Sequence, residues 1–251
     1  AVGPETSGFP VGSDVVGHVR SGAQASHLTV SVDRLVRKPR NLTFETAGGL
    51  YLAGTTALDI LDELKVGAGD TVVISAAAGG VGSIEAQIAM HRGARVIGTC
   101  GDRNFDYLRQ LGVKPVRYGE GIVDRIRALA PDGVSAYIDN FGQDGQDIAE
   151  ALGVPAGKFR SSADRRDREV ALLSDDPEAV AHGTEQLRKI VDLAGKRAVN
   201  ILVSGFYPLA DVAEAYDDLL KLHSRGKVVL ATHPVNPRRI RKARDVMESG
   251  R

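Results

Sequence analysis

The stretch at residues 71–83 constrains the fold most strongly. It reads Thr-Val-Val-Ile-Ser-Ala-Ala-Ala-Gly-Gly-Val-Gly-Ser. The apolar run at 72–74 is typical of a buried parallel strand, and the apolar residues at 81, 84 and 88 have helical spacing. A strand, a glycine turn and a helix in this order predict a dinucleotide phosphate site, because the amides at the start of a helix attract a pyrophosphate.

The match to the dinucleotide motif G-x-G-x-x-G is imperfect. Its three glycine positions are occupied by Ala77, Gly79 and Gly82, so the first glycine is replaced by alanine. Degenerate turns of this kind also occur in flavin sites and as purely structural turns. Both alternatives stay open on the pattern alone.

Composition narrows the class of protein. The length of 251 residues suits one large or two modest domains. The hydrophobic fraction of 43% is ordinary for a globular protein with a buried core. Lysine plus arginine equals aspartate plus glutamate, at 32 each, so no overall field attracts nucleic acid or a membrane. We find no apolar run of membrane-spanning length and no signal peptide. We therefore expect a cytoplasmic protein that acts without nucleic acid or a membrane.

Metal and disulfide chemistry find little support in the sequence. The chain has one cysteine, Cys100, so a disulfide within the chain and a cysteine-rich zinc site are excluded. The six histidines have no ligand spacing. Cys100 ends an apolar strand, and we interpret it as a small buried residue rather than a nucleophile.

Along the chain, short strands alternate with helices. Strands are predicted at 15–16, 28–32, 72–74, 94–100, 115–118, 136–139, 158–160, 201–207 and 226–230. A helix is predicted from Thr43 with a break near Thr55 and Thr56, and further helices are predicted after most strands. Residues 164–196 are charged and predicted to be largely helical and solvent-facing, and the basic tail is predicted to form a short solvated helix. The alternation predicts βαβ units and a parallel sheet.

Several segments together resemble a known family. They are residues 12–17 (Gly-Ser-Asp-Val-Val-Gly), 54–57 (Gly-Thr-Thr-Ala), 76–82 and 226–230 (Gly-Lys-Val-Val-Leu). They resemble the zinc-free medium-chain dehydrogenase/reductases of the quinone oxidoreductase-like type. Residues 104–112, 115–119 and 153–155 are similar to the actinobacterial NADP-dependent oxidoreductase branch. The resemblance covers about residues 9–232.

The resemblance implies an α/β fold. It consists of a Rossmann doubly wound parallel sheet with a partial, truncated GroES-like β-rich substrate domain. The implied division is 1–43 for the partial GroES-like catalytic domain, 44–196 for the dinucleotide-binding domain, 197–232 for a return segment packing on the catalytic domain and 233–251 for the basic tail. Two parts of the family pattern are missing: a long segment before residue 12, and barrel residues between Gly17 and Gly22.

The resemblance also implies a cofactor site. Its residues are Thr56, Ala78, Gly79, Gly80, Val81, Gly82, Arg103, Asn104, Tyr118, Asn140, Phe141, Gly142 and Ser161. Residues 79–82 are expected at the pyrophosphate and Thr56 near the nicotinamide, while the other loops flank the cofactor. For Thr56, an alternative is a hydroxyl that bonds the helix backbone.

NADPH is predicted over NADH. NAD enzymes place an acid at the end of the second strand, whereas residues 99–104 place none directly there. Arg103, Asn104 and Tyr118 suit a ribose 2′-phosphate. Asp102 argues for NADH, and Phe105 stands where many relatives have lysine, which weakens the NADPH argument.

The resulting functional prediction is an NADPH-dependent, zinc-independent reductase of quinones or activated alkenes. It would act on a small hydrophobic quinone or enone by hydride transfer, as a homodimer by resemblance, with no catalytic residue named. One alternative is a non-redox member of the same fold that binds a nucleotide or hydrophobic ligand. Another is an interaction protein that uses the basic tail.

Overall fold

A computed structural model of the chain describes residues 1–143, 145–221, 225–233 and 239–243. Its strands are β1 (Val15–Gly17), β2 (Leu35–Arg37), β3 (Thr71–Ile74), β4 (Arg95–Cys100), β5 (Lys114–Arg117), β6 (Ala136–Ile138), β7 (Phe159–Arg160), β8 (Val203–Pro208) and β9 (Lys227–Ala231). Its helices are α1 (Phe44–Gly48), α2 (Tyr51–Glu63), α3 (Gly82–His91), α4 (Phe105–Gln110), α5 (Ile122–Leu129), α6 (Gly145–Ala151), α7 (Ser162–Leu172), α8 (Pro177–Gly195) and α9 (Val212–Lys221).

A five-stranded parallel sheet forms the centre of the molecule. Its strand order is β5-β4-β3-β6-β7, so β3 pairs with β4 on one side and with β6 on the other. Val72, Val73 and Ile74 are fully buried. From β3 the chain adds β4 and β5 on one side of that strand, and it then adds β6 and β7 on the other side. This reversal of the strand order makes the carboxyl end of β3 a topological switch point. The predicted Rossmann-type α/β fold is confirmed.

Helices cover both faces of this sheet. Successive residues of a strand point to opposite faces. Val72 and Ile74 accordingly join a core with residues of α2, α3, α4 and α8, whereas Val73 joins a second core with residues of α5 and α6. Because β3 is buried on both faces, its sequence is continuously apolar rather than alternating.

The first 43 residues contribute a small antiparallel pair, β1 and β2. The predicted strand at 28–32 is wrong, because the strand lies at Leu35–Arg37 instead. Val36 pairs with Val16, and both side chains are buried. Leu28 and Val32, in contrast, are 47% and 39% exposed. An apolar alternation becomes a strand only where another strand pairs with it.

The predicted helix break at Thr55 and Thr56 is also wrong. α2 is continuous through both residues, and the chain bends at Gly49, before the helix begins. The Thr55 hydroxyl donates to the Tyr51 carbonyl at 2.7 Å, and the Thr56 hydroxyl donates to the Leu52 carbonyl at 2.6 Å. These bonds satisfy both hydroxyls within the helix, so no break is needed.

Residues 164–196 are largely helical as predicted, in α7 and α8, but they do not all face solvent. In α8, the side chains of Val180, Leu187 and Ile190 are buried, and the helix packs against α2. The charged residues of α8 lie on its outer side, so the helix is amphipathic. The high charge density of the segment led to the prediction of a solvent-facing helix.

The C-terminal part adds a second parallel pair, β8 and β9, with α9 against it. Phe206 forms an isolated antiparallel bridge with Arg241. Most of the predicted tail helix lies outside the described residues, which include 239–243 but not 234–238 or 244–251. The proposed domain boundaries stay a prediction.

Close packing between α2 and α8 gives a test of the core. A Cβ atom at Gly54 would lie 2.6 Å from Cγ1 of the buried Ile190. We expect Gly54→Ala to lower the free energy of unfolding by about 1–3 kcal/mol, because overpacking outweighs the better helix propensity of alanine. Gly67→Ala is the matched control, since a Cβ there meets nothing within 4 Å. Urea unfolding measures both, and equal stabilities of the two variants would contradict the packing argument.

Candidate dinucleotide site

A cavity of about 460 Å³ lies where the central parallel strands end. Its walls come from the residues that follow β3 (Ser75, Ala76), the end of β4 (Thr99) and the loops after β5 (Tyr118) and β6 (Phe141). The carboxyl ends of parallel strands share one edge of a sheet, and ligands bind there at the switch point. The volume falls within the range of small-molecule sites, which is about 300–1,000 Å³.

The glycine turn joins β3 to α3 at the rim of this cavity. α3 begins at Gly82, and its N-cap residue, Val81, makes no side-chain capping hydrogen bond. The amides of Ser83, Ile84 and Glu85 donate to the carbonyls of Gly79 and Val81, and the positive end of the helix dipole at this turn favours an anion. Gly82 is needed sterically, because a Cβ there would lie 2.6 Å from the Ala76 carbonyl oxygen. Ala76 itself has a left-handed backbone with φ of 47°.

The structure places the predicted site residues in two groups. The cavity is lined by Ala78, Gly79, Arg103, Asn104, Tyr118 and Phe141. The lining does not include Thr56, Gly80, Val81, Gly82, Asn140, Gly142 or Ser161. Thr56 is fully buried within α2, and the Ser161 hydroxyl accepts from the Asp164 amide at the start of α7. Cofactor contact by any of these residues stays a prediction.

The loop after β6 is held by a buried serine–aspartate pair. The Ser75 hydroxyl donates to Asp139 Oδ1 at 2.7 Å, and its oxygen accepts from the amides of Asn140 and Phe141 at 2.8 and 3.0 Å. Asp139 also accepts from the Gly142 amide at 3.0 Å. Sequence reasoning missed this pair, although Ser75 directly follows the predicted strand at 72–74 and Asp139 ends the one predicted at 136–139.

Two aromatic rings stand at the cavity wall. Tyr118 and Phe141 are 56% and 51% exposed, their ring centroids lie 6.3 Å apart and the rings are tilted by 19°. Exposed, nearly parallel rings offer an apolar surface on which a planar heterocycle can stack.

The end of β4 carries polar groups into the cavity. Asp102, Arg103 and Asn104 form a 3-10 turn, of which Arg103 and Asn104 line the cavity. Asp102 is absent from the lining, and its carboxylate lies 3.6 Å from the Arg117 guanidinium. The buried Arg225 contacts this turn from the segment before β9, a contact that the sequence pattern did not indicate.

A buried acid lies beneath the glycine turn. Glu85, in the first turn of α3, is fully buried, and burial raises its pKa to about 7. Its Oε2 accepts from Asn140 Nδ2 at 2.5 Å, while its Oε1 has no partner among the described residues. Burial also lowers the pKa of Lys227, which reaches the turn at Gly80. Sequence reasoning missed Glu85, because an acid in a first helical turn is usually a solvated one.

The described residues bring no three His, Cys, Asp or Glu side chains together as a metal-binding group. Cys100 is buried, and burial raises the pKa of its thiol to about 11, so the thiolate is strongly disfavoured. Within the described part of the chain, no helix is long and apolar enough to cross a membrane.

The burial of Glu85 predicts a pH dependence of stability. The folded state holds this proton more tightly than the unfolded chain, whose carboxyl has a pKa near 4.5. The protonated Glu85 carboxyl therefore contributes its full stabilisation of the folded state below about pH 4.5, and this contribution is lost as pH rises through about 7. The free energy of unfolding of Glu85→Gln, minus that of the wild type, should therefore increase by on the order of 2–3 kcal/mol from about pH 5 to about pH 8. Urea unfolding across this range measures the gain.

The exposed Glu120 provides the control for this measurement. Glu120→Gln should follow the wild type at every pH. A constant difference between Glu85→Gln and the wild type would mean that the Glu85 carboxyl does not titrate in this range.

Comparisons with known proteins agree with the geometry. Residues 111–230 match the family model described as zinc-binding dehydrogenase. A probable zinc-binding oxidoreductase of Arthroderma benhamiae is 29% identical and aligns with 90% of this chain and 75% of its own. A chloroplastic quinone-oxidoreductase of Triphysaria versicolor is 27% identical over 91% of this chain and 75% of its own. Mouse prostaglandin reductase 1 is 38% identical, but over 41% of this chain and 32% of its own length.

A solved structure of a mycobacterial protein complexed with NADPH superposes with a TM-score of 0.65. It is 28% identical, and the match covers 80% of this chain and 69% of the mycobacterial one. The family description names zinc, but the described residues contain no donor group that fits a zinc ion. In sequence and fold, the chain is similar to oxidoreductases of the medium-chain dehydrogenase/reductase type, and its residues 111–230 match the zinc-binding dehydrogenase family model.

Proposed function

We propose that this protein is an NADPH-dependent, zinc-independent reductase of quinones or activated alkenes. The observation that carries the proposal is the cavity at the switch point, which Gly79 of the glycine turn lines together with Arg103 and Asn104. A glycine turn that leads into a helix N-terminus and a guanidinium at the same cavity favour a ligand with several phosphates.

The residues around the cavity fit the adenosine part of such a cofactor. The start of α3 would hold the pyrophosphate, and the rings of Tyr118 and Phe141 would flank the adenine. The Ser75–Asp139 pair keeps the Phe141 loop in place before any ligand arrives. NADPH would supply the hydride when bound, and the chain would bind it, orient it and exclude water.

The choice of NADPH rests on the turn after β4. A carboxylate that bonds a ribose 2′-hydroxyl is the usual feature of NAD sites. Asp102, the one acid in this turn, is outside the cavity lining and beside Arg117. Arg103 and Asn104 offer donors, which suit a 2′-phosphate. The mycobacterial structure with NADPH supports the same choice.

The substrate class is inferred from relatives. One is named a quinone-oxidoreductase and another a prostaglandin reductase. We therefore propose a small hydrophobic quinone or enone as the substrate. A homodimer and a cytoplasmic location stay predictions, and we name no proton donor.

One observation favours a non-redox alternative within the same fold. Thr56 and Ser161, which were predicted to lie near the cofactor, are outside the cavity lining and hydrogen-bonded within their own helices. A protein of this kind would bind a nucleotide through its adenosine part, or a hydrophobic ligand, without oxidising NADPH.

Titration with NADPH and NADH, followed by the nicotinamide fluorescence, tests the proposal. The chain contains no tryptophan, so the protein background is low. Tighter binding of NADPH, with NADPH oxidation on adding a simple quinone or an enone, is the expected result. Binding without oxidation would support the alternative, and no binding would mean that the glycine turn is structural.

Substitution of Arg103 tests the phosphate-binding role directly. We expect Arg103→Met to weaken NADPH binding by about tenfold or more and to leave NADH binding nearly unchanged, because one charge-assisted contact is lost. Arg109→Met is the control, since Arg109 lies on α4 outside the cavity lining and is paired with Asp106. An equal loss of affinity for both nucleotides would contradict contact between Arg103 and the 2′-phosphate.

A further inference from the structure

Arg225 joins two distant parts of the chain at the cavity. It lies just before β9, and its side chain reaches the turn after β4, more than 100 positions earlier in sequence. Its Nε donates to Asn104 Oδ1 at 2.8 Å, and its Nη2 donates to the Arg103 carbonyl at 2.8 Å. The residue is only 8% exposed, and its guanidinium lies over the Tyr107 ring, 5.5 Å from the centroid.

These contacts orient the side-chain amide of Asn104. A carboxamide has one accepting oxygen and one donating NH₂ group. Arg225 can only donate, so it engages the oxygen of Asn104, and the group left to face a ligand is the NH₂. Asn104 lines the cavity, so this orientation places a donor there.

The orientation distinguishes two ligands. A phosphate at the ribose 2′ position only accepts hydrogen bonds when fully ionised, whereas a 2′-hydroxyl both donates and accepts. An amide whose oxygen is held by the buried Arg225 and whose NH₂ is left for a ligand, in a cavity that Arg103 also lines, suits the phosphate. In contrast, a freely rotating amide would serve either group.

We propose that Arg225 is a positioning residue for cofactor selectivity, which fixes the Asn104 amide as a donor and so selects the 2′-phosphate of NADPH over the 2′-hydroxyl of NADH. The inference rests on the proposed function for the identity of the cofactor. It adds a residue from the segment just before β9, far in sequence from the turn after β4, to the determinants of selectivity.

Calorimetric titration with 2′,5′-ADP and with 5′-AMP tests the proposal without any turnover. The two probes differ in the 2′-phosphate and share the rest of the adenosine half. We expect Arg225→Met to weaken 2′,5′-ADP binding by about tenfold and to change 5′-AMP binding by less than about twofold. Arg188→Met is the matched control, because Arg188 is an exposed arginine of α8 paired with Glu185.

A double-mutant cycle separates positioning from a direct contact. If Arg225 acts through Asn104, then Arg225→Met combined with Asn104→Ala should bind 2′,5′-ADP no more weakly than Asn104→Ala alone. Asn104→Asp adds a second arm. It keeps an acceptor for Arg225 but offers no donor, so it should lose 2′,5′-ADP affinity and keep that for 5′-AMP. This arm holds even if Arg225→Met fails to fold.

Additive losses in the cycle, or equal losses for both probes, would overturn the proposal. Wild-type protein that binds 5′-AMP no more weakly than 2′,5′-ADP would overturn it together with the choice of NADPH. If the protein binds 2′,5′-ADP selectively and the double-mutant cycle gives the expected result, but NADPH is never oxidised, the positioning role of Arg225 is supported. That outcome would reject only the reductase function.

Discussion

The structure depends on the burial of β3 between two parallel neighbours. Its side chains enter the cores on both faces of the sheet, so the strand can neither slide nor tilt without opening one of them. Because β4 and β6 flank β3, the chain that leaves β3 turns at the switch point, where the strand order reverses. The glycine turn, the start of α3 and Ser75 are all fixed there by this one constraint.

Buried polar groups then set the geometry of the cavity. Ser75 and Asp139 follow neighbouring strands and satisfy each other, as well as three amides of the loop that carries Phe141. An unsatisfied amide in this position would cost more than the net gain of an ordinary hydrogen bond, so the loop has one favoured arrangement. Glu85 is different, since it is buried with one oxygen unpartnered among the described residues. Its raised pKa is the physical result of that burial.

The two ends of the candidate site are unequal. The end proposed for the adenosine half has an open cavity, exposed aromatic rings and donors at the turn after β4. At the other end, α7 is capped by Ser161, and its Arg165 and Glu169 pair at 2.6 Å, near Glu85 and Lys227. Because of this contrast, the protein could bind a nucleotide without oxidising NADPH, so the two properties need separate experiments. Ligands that consist of the adenosine half alone test the binding property by itself.

Local sequence determined much of the fold. The apolar run at 72–74, the glycines that follow it and the alternation of strands and helices predicted the parallel sheet and the glycine turn between β3 and α3, because side-chain periodicity and backbone freedom are local properties. Six of the predicted cofactor residues line the cavity. Tertiary structure alone decided what depends on partners distant in sequence: the strand at Leu35–Arg37 instead of 28–32, the buried side of α8, the Ser75–Asp139 pair and the reach of Arg225 to Asn104. A pattern in one segment carries no information on which distant segment will satisfy its hydrogen bonds or cover its apolar side.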